Sequence, residues 1–105
     1  MINIYNVNDW QDASEYSSGT RKKVLYDENG IKTILLKFPE AFYTEPHSHI
    51  SAEQHIILNG EYINEGKVYH EGTYRNFKAH ENHRPFESKN GELVLIIWHP
   101  YHFNK

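Results

Sequence analysis

Three Asn-Gly dipeptides, at Asn29-Gly30, Asn59-Gly60 and Asn90-Gly91, constrain this 105-residue chain more than any other feature. Each is flanked by short apolar runs. Asn and Gly both accept the left-handed backbone of a tight two-residue turn, so each pair signals a β-hairpin. Glu65-Gly66 and Glu71-Gly72 mark two further turns. Between these points lie strand-like segments at residues 24–26, 31–38, 52–58, 74–77 and 93–98. Short strands at such spacing predict an all-β sandwich or barrel. Only residues 7–16 have helical character, with Asn8 or Asp9 placed to cap a single turn. Residues 1–20 read as an irregular lead-in packed on the barrel by Trp10, and residues 21–105 as the barrel, in a single domain.

Residues 52–58 and 93–98 each contain consecutive aliphatics where a half-exposed strand would alternate. A second face is therefore expected to be covered, by another sheet or by a second subunit, and a homodimer is the expectation. Eleven Lys and Arg against 14 Asp and Glu give a net charge of −3, which provides no electrostatic footprint for nucleic acid. No apolar run approaches the roughly 18 residues of a membrane span. The N-terminus lacks the basic and apolar regions of a signal peptide. A cytoplasmic protein without a membrane or nucleic-acid partner is expected.

Cysteine is absent, which excludes disulfide scaffolds, zinc ribbons, iron–sulfur clusters and thiol nucleophiles. Histidine is abundant instead, with eight in the chain. His47 and His49 stand two apart, and on an extended strand such residues share a face. Three residues separate His49 from Glu53, enough for a tight reversal that returns Glu53 beside the pair. His80 and His83, in a later hairpin, are candidates for a further nitrogen ligand. Two or three imidazoles and one carboxylate suit a divalent first-row metal, with Zn, Fe, Mn, Ni and Cu all compatible.

The spacing from His47 through His49 and Glu53 to Gly60 resembles the first motif of the cupin family. Gly72 and His83 match parts of the second motif, while Lys78 and His80 stand where proline and glycine are usual, Ala41 replaces a glycine, and Glu87 an asparagine. Most of the chain resembles the cupin domain of ChrR-type anti-sigma factors and its free-standing relatives. Trp10, Gly19 and residues 23–27 are similar to that group's lead-in strand. Gly72-Thr73-Tyr74 with Asn76, then His83 with Pro85-Phe86, complete the pattern. The resemblance implies a cupin double-stranded β-helix, a jelly-roll barrel of the RmlC-like kind. It implies one divalent transition metal per chain, zinc or iron first, held by His47, His49, Glu53 and His83.

His80 then falls near the cavity mouth as a candidate general base. His55 shares the inward parity of Glu53 and reads as a packed core histidine or as a group beneath the metal. His70, His99 and His102 read as surface or interface residues, and Arg75 and Arg84 as solvated arginines or ligands for an anionic substrate. Tyr43, Tyr62, Phe77, Phe86 and Trp98 are assigned mainly to the core. Three His and one Glu leave coordination positions open to a small chelating molecule. The relatives then imply a dioxygenase-like enzyme acting on a small diketone, hydroxyketone or similar metabolite in the barrel. The alternative is a non-catalytic metal- or ligand-sensing module. A complete ChrR-type anti-sigma factor is not expected, because the barrel begins near residue 10 and the cysteine ligands of that group's helical zinc domain are lacking.

Overall fold

The computed structural model describes residues 1–43, 47–48, 52–79, 82–83 and 86–99, with the backbone alone at 47–48 and 82–83. Among the described residues there are eleven strands and no helix. They are β1 (Gln11–Asp12), β2 (Arg21–Glu28), β3 (Ile31–Phe38), β4 (Phe42–Tyr43), β5 (His47–Ser48), β6 (Ala52–Asn64), β7 (Lys67–His70), β8 (Tyr74–Phe77), β9 (Asn82–His83), β10 (Phe86–Ser88) and β11 (Glu92–His99). Among the described residues, no helix is long and apolar enough to cross a membrane. Nine strands form one curled antiparallel sheet in the order β1-β2-β3-β11-β6-β10-β4, with β7 and β8 also paired to β6, while β5 and β9 form a separate ladder.

The turn chemistry was only partly used for hairpins. Asn29-Gly30 closes the β2–β3 hairpin between Glu28 and Ile31, with φ of 55° and 79°. Glu65-Gly66 does the same between β6 and β7. Asn59-Gly60 is no hairpin but lies inside β6. Asn90-Gly91 joins β10 to β11, which pair with different parts of β6 and otherwise with β4 and β3 respectively. The left-handed freedom that suits a hairpin also suits a bulge and a change of sheet, so the dipeptide alone does not separate them.

That bulge organises the barrel. The register of β11 on β6 slips between Leu93, opposite Asn59, and Val94, opposite Ile57, leaving Leu58 as the extra residue. Alternation along β6 therefore changes phase. Glu53, His55 and Ile57 are the buried residues before it, and Tyr62 and Asn64 those after it. The first half of β6 pairs with β11 and β8, and the second with β7 and β10. A Cβ at Gly60 would lie 2.3 Å from the Gly91 carbonyl oxygen, so the crossing depends on a bare backbone.

The expected helical turn is absent from residues 7–16. Asp9 is left-handed, with φ of 60°, and Gln11–Asp12 pair with β2 instead. Ala13 is fully buried, and its N–H donates to the Thr20 carbonyl at 2.9 Å. Tertiary pairing has overridden weak local preference. Ile34, Leu36, Phe42, Ile57, Tyr62, Phe77, Phe86, Val94 and Ile96 form the core. The second apolar face, across Ile56, Leu95 and Ile97, is half-buried. Next to it the N-terminal residues lie on the sheet. Tyr5 Oη donates to the Leu58 carbonyl at 3.4 Å, and Lys37 Nζ sits 5.9 Å from the Trp10 ring centroid.

Candidate metal centre

Register brings two of the candidate ligands together. The β5–β9 ladder sets His47 directly opposite His83, and Ser48 opposite Asn82, although 35 residues separate the histidines in sequence. His49 and His80 lie outside the described residues, as do Arg84 and His102. Glu53 is the second residue of β6, between Trp98 on β11 and Phe77 on β8. It is only 3 % exposed. Among the described residues, no group of three or more His, Asp or Glu side chains converges.

Glu53 is held from within the barrel. Its Oε1 lies 3.0 Å from His55 Nε2, and His55 Nδ1 lies 3.2 Å from Tyr62 Oη. Arg75, directly opposite His55 on β8, donates from Nη1 to Tyr62 Oη at 3.3 Å and to Asn64 Oδ1 at 3.1 Å. An ionised Glu53 only accepts, so a neutral His55 donates to it from Nε2 and accepts at Nδ1 from Tyr62 Oη, which in turn accepts from Arg75. The imidazole N–H is then on Nε2, facing the carboxylate, which accepts it. His55 is thus both a packed core residue, 4.7 Å from Phe77 between ring centroids, and the direct support of Glu53.

Among the other assignments, those of Arg75 and Tyr43 change. Arg75 is half-buried rather than a fully solvated arginine. Its guanidinium stacks 3.9 Å from the Tyr69 ring centroid and 4.8 Å from that of Phe77. Tyr43 is exposed rather than core, whereas Tyr62, Phe77 and Phe86 are buried. Trp98 packs against the core and lines the cavity. His70 is exposed, and His99 is half-buried and bonded to Gln54.

Next to Glu53 and His55 is a cavity of about 40 Å³, lined by Leu36, Phe42, Phe86, Val94 and Trp98 among others. Tyr16, from the lead-in, also lines it. Burial, assisted by the charges of Glu15 and Glu53, pushes the Tyr16 phenol up to about 12. Burial likewise pushes Tyr62 up to about 12, against the opposing charge of Arg75, so both phenols stay protonated as donors. Neither Tyr16 nor the link from Tyr62 to Arg75 was signalled in the sequence. Tyr16 stands in an irregular segment, and the inward position of Tyr62 follows from the bulge.

No curated protein matches the sequence. Solved structures of similar shape include KdgF from Halomonas sp. (20 % identity, TM-score 0.75, 90 % of this chain and 88 % of that one). An acetylacetone dioxygenase from Acinetobacter johnsonii aligns at 11 % identity and TM-score 0.76, over 89 % of this chain and 70 % of its own. A chain from the complex of Rhodobacter sphaeroides SigE with the anti-sigma ChrR aligns at 17 % identity and TM-score 0.72, over 86 % of this chain and 49 % of its own. At these identities the likeness establishes the fold, a cupin jelly roll. Residues 2–102 match the family described as the ChrR cupin-like domain. With nearly its whole length matched, the chain belongs to the ChrR cupin-like domain family.

Proposed function

We propose that this chain is a mononuclear metal-binding cupin, one domain over residues 1–105, acting as a dioxygenase-like enzyme on a small diketone, hydroxyketone or similar metabolite. His47, His49, Glu53 and His83 would hold one divalent transition metal, zinc or iron first, with Mn, Ni and Cu as alternatives. The observation that carries the reading is the β5–β9 register, which sets His47 opposite His83, together with a buried carboxylate at Glu53. Directly opposed residues of an antiparallel pair share a face. The donor set fits in kind, since imidazoles and one carboxylate suit a first-row divalent ion.

When bound, such an ion supplies Lewis-acid or redox chemistry to a chelating ligand. The rest falls to the chain. Leu36, Phe42, Phe86 and Val94 exclude water, and the small cavity favours a compact substrate. His55 fixes the Glu53 carboxylate, and His80 is the candidate base. A cytoplasmic homodimer is part of the same reading, with the half-buried face of Ile56, Leu95 and Ile97 in support.

Elemental analysis of tag-free protein is expected to find about one divalent ion per chain. His49→Ala and Glu53→Ala should lose it, and His70→Ala should keep it; equal losses would refute the ligand set. The iron-loaded protein should consume oxygen with some member of a panel of β-diketones and α-hydroxyketones. A second reading, a metal- or ligand-sensing module, is favoured by the family match itself. Silence across the panel from a protein that holds zinc stably would turn the assignment to that reading.

A further inference from the structure

We propose that Arg75, Tyr62 and His55 form a positioning relay that fixes the Glu53 carboxylate for a divalent cation; the inference rests on the reading of Glu53 as a metal ligand.

The relay is built from groups that have little freedom. Glu53, His55 and Tyr62 are 3 %, 5 % and 1 % exposed, so water is shut out and each polar atom relies on its protein partner. With a neutral His55 donating to an ionised Glu53, donation runs in one direction, from Arg75 Nη1 to Tyr62 Oη, from Tyr62 to His55 Nδ1, and from His55 Nε2 to Glu53 Oε1. The far end is itself anchored. Arg75 is stacked on Tyr69 and Phe77 and bonded to Asn64, so its guanidinium cannot swing to relieve a misplaced Tyr62. The tautomer of His55 is thereby set two side chains away from the carboxylate it supports.

The backbone is shaped to the same end. Without the extra residue at Leu58, unbroken alternation would carry Ile63 rather than Tyr62 onto the inner face. The change of phase requires Gly60 in the left-handed region against the Gly91 backbone. Apolar side chains at 55 and 62 would fill the volume without any cost of burying polar atoms. A polar chain that ends on a buried carboxylate instead behaves as outer-shell partners of metal ligands do, holding orientation and basicity.

The test uses the full chain, with Co²⁺ and Zn²⁺ as probes. Affinity is measured by calorimetry, and ligand geometry by the visible absorption of the Co²⁺ form. Tyr62→Phe removes one oxygen and keeps the ring, and should weaken binding about tenfold and shift the cobalt spectrum. His55→Leu should weaken it by about 10- to 100-fold, and His55→Gln, whose amide can still donate to Glu53, should restore part of the loss. Circular dichroism checks folding, and Tyr62→Phe carries the test should His55→Leu fail to fold. If the wild type binds and Tyr62→Phe matches it in affinity and spectrum, the relay is wrong and the metal site stands. If the wild type takes up neither ion, the metal reading falls, and the relay with it.

Discussion

Glu92 is the first residue of β11, on the same inner face as Val94 and Ile96, and it is 5 % exposed. Neither of its oxygens has a hydrogen-bond partner among the described residues. Burial, with the charge of Glu61 added, pushes its carboxyl from 4.5 up to about 9. The native state therefore keeps a proton that the unfolded chain releases above about pH 4.5, and stability falls as pH rises through this window. At pH 7 the cost is on the order of 3 kcal/mol. Glu92→Leu removes both the titration and the orphaned oxygens. Urea unfolding at pH 5 to 8 should show a decline in wild type and a flatter profile in Glu92→Leu, which should be the more stable by about 1–3 kcal/mol at pH 7.5. Parallel slopes would mean that Glu92 ionises within the fold. At this scale the sequence was legible where the alternation was regular. Glu53 and His55 could be placed inward from parity alone. Tyr62 and Arg75 could not be linked to them, because the link crosses the bulge at Leu58.

At the scale of the element, β6 shows why turn residues mislead. Its 13 residues include an Asn-Gly pair, which from sequence divides the strand at residue 58, yet pairing continues on both sides to Asn64. The boundaries of 31–38 and 74–77 were readable because each ends at a real turn or loop. β7 was not anticipated, since Lys67–His70 carries a single aliphatic and remains largely exposed. Gly60 and Gly66 both have positive φ, of 83° and 75°, but only Gly60 has backbone within reach of an added Cβ. Gly66→Ala should cost about 1–2 kcal/mol, the ordinary penalty of a left-handed L-residue. Gly60→Ala adds a clash with Gly91 that must displace a strand, so its loss should exceed about 3 kcal/mol. Denaturant unfolding of both variants measures the difference, and equal losses would show that the crossing has slack.

For the molecule as a whole, the proposed site draws on residues distant in the chain, since His47, Glu53 and His83 belong to β5, β6 and β9. An unfolded chain has no such site, so binding free energy adds to folding free energy. A metal present at 100 times its Kd would add about 2.7 kcal/mol. For a domain near 100 residues this corresponds to a rise in Tm of about 10–20 °C. Zinc should produce that rise in wild type, EDTA should reverse it, and His49→Ala should not respond. The pH dependence makes the test sharper, because two effects run in opposite directions. Without metal, the buried Glu92 makes stability fall as pH rises. With metal, the added increment grows as pH rises through the imidazole range, because ligation needs neutral histidine. The metal-loaded and metal-free curves should therefore converge near pH 5 and separate towards pH 8. A gap that stays constant between those limits would remove histidine from the ligand set, leaving the Glu53 carboxylate as a metal site without the residues that the β5–β9 register sets face to face.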